Sequence, residues 1–202
     1  FPDVVIDDEV NGRRIAVPAS VAAVSALSFN DKVAFPWFAP AGFNRASLDF
    51  VLRTTARVNQ PERVKLFDSH INPIVKFPRE GYVIFAQNTL EQAGSALGSV
   101  NVVRMLNDLK RQVIDIGNRI IWEQITPELR NQLVGQIKPV LSTVQLRQGI
   151  ETYRIICDDT NNTDDDVNAN KMNCKIVLVP TRAAEFIAID FIITRSGVSF
   201  SV

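Results

Sequence analysis

The chain has 202 residues, 46% of them apolar, and its 22 basic and 22 acidic side chains cancel to a formal net charge of zero. That length fits one domain, or one domain with a small appendage, and can bury most of its apolar surface. A balanced charge offers no broad basic face, so nucleic acid is not an expected partner, and no stretch reaches the length of a membrane span, so no membrane is expected either.

Residues 1–17 read as extended structure around the turn Asn11-Gly12, because an Asn-Gly pair between strand-like runs favours a hairpin. Pro18-Ala19-Ser20 opens an Ala-rich helix that is expected to end before Asn30-Asp31. The run Phe35-Pro36-Trp37-Phe38-Ala39-Pro40-Ala41-Gly42 contains two prolines and a glycine, which predicts a loop, pinned to a core by its aromatic rings. Residues 47–54 read as a short strand or turn, and Pro61 starts a short helix that runs to about Ser69, with proline at its first position. Asn72 to Phe77 and Gly81 to Ala86 read as strands joined by the turn Pro78-Arg79-Glu80-Gly81.

The clearest helix spans 99–124. Val102, Leu106, Leu109, Val113, Ile116 and Ile120 recur at intervals of four and three and form one apolar stripe. Its other face alternates in charge, with Arg104 and Asp108, Arg111 and Asp115, and Asp115 and Arg119 each four apart, where such side chains can pair. Lys110 has no acid four residues away and is the free cation of that face, a candidate for an intermolecular contact. Thr126-Pro127 caps and starts a second helix with Leu129, Leu133, Ile137, Val140, Leu141 and Val144 on its apolar face. Pro139 is expected to kink or divide it, and Gly149 to stop it. The short link between the two helices predicts antiparallel packing. Strands are expected at about 151–157, 174–180 and 185–194, around an Asp- and Asn-rich loop at 158–173.

Little of this points to catalysis. Asp164, Asp165 and Asp166 are consecutive, whereas a calcium loop alternates its ligands and needs a glycine at its turn, so a solvated turn is the expectation and no metal site is predicted. His70 is the single histidine and falls where a helix ends, where it can help cap that helix. No GxSxG elbow and no glycine-rich phosphate loop is present. No cofactor and no catalytic residue is therefore predicted.

Several stretches resemble contractile tail sheath proteins of tailed phages and related injection machines. They are Pro36 to Gly42, Asn72-Pro73-Ile74-Val75, Gly81 to Leu90, Cys157-Asp158-Asp159-Thr160-Asn161-Asn162-Thr163, Val179-Pro180-Thr181-Arg182-Ala183 and Thr194-Arg195-Ser196-Gly197-Val198-Ser199-Phe200. The resemblance implies the C-terminal, inner part of a larger sheath subunit, and the chain opens on Phe1 rather than Met. It implies a mechanical function: six-fold rings of the subunit stack around an inner tail tube above a baseplate, and contraction drives the tube through a target envelope. It also implies a place in the virion tail, after assembly in the bacterial host cytoplasm, where Cys157 and Cys174 would stay reduced. These two cysteines lie in apolar strand patterns, could face each other on neighbouring strands, and are expected as buried thiols.

The expected fold is α+β, an α/β-like mixed sheet packed against two long antiparallel helices, with extended terminal arms. Its parts are an N-terminal hairpin and helix at 1–35, a core at 36–195 and a C-terminal arm at 196–202. In the family, such arms add strands to the sheets of neighbouring subunits. The resemblance assigns that role to Val4, Val5 and Ile6 at one end and to Gly197, Val198, Ser199, Phe200 and Val202 at the other. A charged helix of the family's inner domain touches the tube, which makes Arg104, Lys110 and Arg111 the expected tube-facing residues. The alternatives are the sheath of a bacteriocin or secretion-type injection system and, in a different class, a ligand-binding or enzymatic α/β domain, which would need a polar pocket with perturbed groups.

Overall fold

The computed structural model describes residues 1–185. The expected strand at 185–194 and the arm residues Gly197, Val198, Ser199, Phe200 and Val202 fall, but for Glu185, outside the described residues.

The N-terminal half folds around one core. Strands β1 (Val4–Asp8) and β2 (Arg13–Val17) form the hairpin predicted around Asn11-Gly12, with Gly12 in the left-handed region at φ 61°. Strand β3 (Val51–Thr54) pairs antiparallel with the other edge of β1, giving the order β2-β1-β3. Helix α1 (Ala19–Val33) packs on this sheet with Ala22 and Ala26, two small residues four apart that allow close approach. The Asp3 carboxylate accepts from the amide of Ala19 at 3.2 Å and so serves the helix start that Pro18 cannot cap.

Helix α1 does not end before Asn30 as the sequence suggested. Asn30 is fully buried, and its side-chain amide donates to the carbonyl of Phe35 at 3.2 Å. It thus ties the last turn to the loop that follows, and the helix runs on to Val33. After helix α2 (Gln60–Asp68), opened by an Asn59–Glu62 capping box, the hairpin of β4 (Ile74–Phe77) and β5 (Gly81–Ile84) closes the core with Ile74, Val83 and Ile84.

The C-terminal half has its own core. Helices α3 (Val100–Asn118) and α4 (Pro127–Leu146) bury Met105, Leu109, Leu133, Ile137 and Leu141 together, against the hairpin of β6 (Ile150–Ile156) and β7 (Lys175–Pro180). The apolar stripe holds as read, but α3 stops at Asn118 rather than near 124. Beyond it the amides of Arg119, Ile120 and Glu123 bond three residues back, so the chain tightens into turns that still bury Ile120. Pro139 does not divide α4, which is continuous from Pro127 to Leu146.

Three helix ends share one device. His70 follows α2, Gln148 follows α4 and Asn170 follows the short helix α5 (Asp164–Asn168), and all three are left-handed, at φ 56°, 64° and 54°. In each case the next amide bonds back to the carbonyl five residues earlier: Ile71 to Leu66, Gly149 to Val144, Lys171 to Asp166. These are Schellman ends built without glycine. Gly149 therefore does not take the stop conformation itself; Gln148 does. His70 caps its helix as anticipated and also places Nδ1 3.0 Å from the carbonyl of Thr89.

The α+β class is as expected, but the described strands form three small antiparallel sheets rather than one mixed sheet. The two halves meet at the 35–42 loop. Trp37 packs on the C-terminal core, its ring stacks on Phe35 at 4.9 Å, and its Nε1 donates to the carbonyl of Arg147 at 2.8 Å. The Asn101 side chain donates to the carbonyl of Trp37 at 3.1 Å. The loop is thus pinned from both sides, as its aromatic content suggested.

Candidate assembly surfaces

The candidate surfaces are strand β1, the outer face of α3 and the β6–β7 hairpin.

Val4, Val5 and Ile6 do not form a free arm in this fold. They lie on β1, the centre of its sheet, with Val4 and Val5 buried and both backbone edges paired within the chain. A strand whose hydrogen bonds are already made offers a neighbour no free edge.

The outer face of α3 exposes Lys110, Arg111, Ile114, Asp115, Asn118 and Arg119, in a stripe opposite the buried one. Its ion pairs differ from the sequence reading. Arg104 does not pair with Asp108; its Nη2 reaches across to α1 and binds both carboxylate oxygens of Asp31, at 2.7 and 2.6 Å. Arg111 pairs with Asp108, three residues back, at 2.6 Å, and Gln112 donates to the same carboxylate. Lys110 is exposed and makes no ion pair among the described residues. Of the three cations assigned to the tube, Arg104 is thus an internal tie between the two halves, whereas Lys110 and Arg111 project outward.

Beyond α3 the turn presents Ile121 and Trp122, 56% and 96% exposed, with Trp122 held left-handed at φ 77°. That is an uncommon backbone state for a bulky side chain and an uncommon exposure for the largest apolar ring. Sequence periodicity could not flag it, because the helix pattern appeared to continue through 124.

The β6–β7 sheet has two strands, each with one edge unpaired among the described residues. Its inner face is Tyr153, Ile155, Cys157, Cys174, Ile176 and Leu178; its outer face leaves Val177 and Val179 about half exposed, at 46% and 47%. The acidic segment between the strands is not a plain loop. Thr163 and Asp166 form a capping box at the start of α5. Asp158 accepts from the amide and hydroxyl of Thr160, and Asp166 from the amide and hydroxyl of Thr163. These hydrogen bonds hold both carboxyls below their ordinary pKa. Asp159 pairs with Arg130 of α4 at 2.7 Å. No cluster of three His, Cys, Asp or Glu suited to a metal occurs among the described residues.

A groove of about 860 Å³ runs between the halves, lined in part by Trp37, Phe38, Arg63, Phe67, Phe85 and residues 181–185. Its described lining includes Asp68, Thr181 and Glu185 but no histidine, cysteine or serine. No described helix is long and apolar enough to cross a membrane.

Residues 92–194, just over half of the chain, match the family model described as phage tail sheath C-terminal domain. The chain belongs to that family. A tail sheath protein of Vibrio phage KVP40 is 29% identical over 194 residues, covering 96% of this chain and 29% of the relative. The chain thus spans under a third of the length of that curated relative. The fold is shared with a chain in the cryo-EM structure of the anti-feeding prophage baseplate, at TM-score 0.86 and 20% identity, covering 96% of this chain and 54% of that one. It is shared also with the sheath complex of an extracellular contractile injection system, PVC, in the contracted state, at TM-score 0.84 and 21% identity, covering 95% and 54%. The family match begins at residue 92, close to where the C-terminal core begins, and includes both long helices and the β6–β7 hairpin.

Proposed function

We propose that this chain is the C-terminal, inner part of a structural subunit of a contractile tail sheath, a non-enzymatic protein that polymerises around an inner tube and contracts to drive it through a target envelope. The observation that carries this reading is the family match over 92–194. The likeness in fold to a contracted sheath complex supports it. Subunits assemble as hexameric rings stacked helically above a baseplate, in the host cytoplasm, and act in the virion tail. The phage reading is preferred to a bacteriocin or secretion-type sheath because the curated relative at 29% identity is a phage protein, whereas the injection-system chains share 20–21%.

Within the subunit, Lys110 and Arg111 face the tube, joined by the exposed Trp122 of the turn that follows α3. The tail 196–202, with Val198, Phe200 and Val202 alternating with Ser199 and Ser201, adds as a strand to a neighbour's open sheet edge. The β6–β7 sheet offers such an edge. Electron microscopy of the full-length subunit tests the reading. Rings or helical tubes are expected; a monodisperse monomer under all assembly conditions overturns it.

A further inference from the structure

The cysteines flanking the β6–β7 hairpin are used by nothing described so far. The two strands pair antiparallel with Ile155 opposite Ile176 and Ile156 opposite Lys175, so the next pair in register is Cys157 opposite Cys174. Both side chains point to the inner face, where they join the C-terminal core, and both are free thiols. Directly opposed residues of an antiparallel pair have Cα atoms about 4.5–5.5 Å apart, inside the roughly 4.4–6.8 Å window of protein disulfides.

The hairpin is braced at this point. The Asn161 side chain donates to the carbonyls of Ile156 and Asn173, at 2.9 and 3.0 Å. The Asn162 side chain donates to the carbonyl of Asn173 at 2.9 Å and accepts from its amide at 2.6 Å. Ile156 and Asn173 immediately precede the two cysteines, so both backbones are fixed beside the thiols and a bond between them needs little rearrangement.

We propose that Cys157 and Cys174 form a cross-strand disulfide when the folded chain meets a low-molecular-weight disulfide, a covalent staple across the base of the Asp- and Asn-rich segment. Cys174, half-buried, is the entry thiol, and Cys157, more deeply buried, resolves. The Cys174 thiolate attacks one sulfur of the small disulfide and expels one small thiolate. The Cys157 thiolate then attacks Cys174 Sγ of the mixed disulfide and expels the second. Two protein thiols and one small disulfide become one protein disulfide and two small thiols, with two electrons passing to the small molecule. Only the occasion rests on the sheath reading: a subunit assembled in a reducing cytoplasm meets such oxidants after the particle is released.

Burial pushes both thiols up, Cys174 to about 11, so each is almost wholly protonated at neutral pH. Arg130 and Asp158 are the charged groups near Cys157. Exchange through the Cys174 thiolate should therefore quicken about tenfold per pH unit from 7 to 9.

The test uses the reduced chain in glutathione buffers of rising oxidised fraction, read by intact mass, peptide mapping and thermal melts. The expected product is a monomer lacking two hydrogens, with a 157–174 link. Its melting temperature should rise by about 6–12 °C, the shift that closing a loop of this length implies for a chain of this size. Cys157→Ser and Cys174→Ser should each abolish the shift while melting near the reduced wild type. Glutathione adducts or intermolecular dimers alone, a lowered melting temperature, or oxidation only in denaturant would each overturn the proposal. None of these results depends on whether the full-length subunit forms tubes, so the two readings fail separately.

Discussion

Gly149 tests the packing of the seam between the two halves. A Cβ built there would lie 2.5 Å from Val144 Cγ1, 2.9 Å from Trp37 Cγ and 3.0 Å from Trp37 Cδ1. Neither neighbour can yield easily. Val144 is a buried β-branched residue on a helix, with one strongly preferred rotamer. Trp37 is held by its bond to the carbonyl of Arg147 and by its stack on Phe35. Gly149 itself is not left-handed, so alanine carries no backbone penalty there. On chain entropy alone, Gly149→Ala would stabilise by about 0.4–1 kcal/mol. The overlap opposes this with an overpacking cost of about 1–3 kcal/mol, and the clash should prevail. Gly135 is the control. It lies exposed inside α4 with nothing within 4 Å of an added Cβ, so Gly135→Ala should stabilise by up to about 1 kcal/mol. Thermal melts should separate the two, at roughly 2–4 °C per kcal/mol for a chain of this length. A Gly149→Ala protein as stable as wild type, or more so, would refute the packing described at Trp37.

Asp31→Ala should cost about 1–3 kcal/mol, because Arg104 then loses both of its partners for Nη2 while its Nη1 is already buried and unpaired; urea titration reads this. Asp158 and Asp166 have folded pKa values below the 3.8 of the free carboxyl, so their contribution is present above that pH and lost as pH falls through the lowered values. Asp166→Asn should accordingly flatten the acid limb of the stability curve, and an unchanged acid limb would remove the capping box from the account. Reversing Lys110 and Arg111 to glutamate, or truncating Trp122 to alanine, should reduce co-assembly with tubes in a sedimentation assay while leaving the monomer's melt within about 2 °C, as surface changes usually do. Equal co-assembly at moderate salt would move the tube contact to another face.

What could be read in the sequence was what depends on local spacing. The apolar stripes of α3 and α4 repeat over several turns, and their core residues appear where the period puts them, from Leu109 to Leu141. Turn chemistry located the hairpins at Asn11-Gly12 and Pro78 to Gly81. Helix ends were harder, because His70, Gln148 and Asn170 take left-handed positions in which glycine would be the usual signal. The glycine that is present, Gly149, answers a tertiary contact instead.

The assembly surfaces depended on choices that spacing leaves open. Arg104 has an acid four residues on and ignores it for Asp31, 73 positions away, since charge-assisted hydrogen bonds from a partly sheltered Nη2 to both carboxylate oxygens outweigh a solvent-screened pair on one helix. That choice withdraws Arg104 from the outer face and leaves Lys110 and Arg111 there. A similar logic applies to β1. Val4 to Ile6 look like an arm in sequence, but β3, more than forty residues later, closes the second edge and turns the segment into the centre of a sheet. Strand exchange requires an edge left open by the chain's own pairing. Among the described strands β1 fails that condition, whereas the hairpin β6–β7 is one of two two-stranded sheets that meet it.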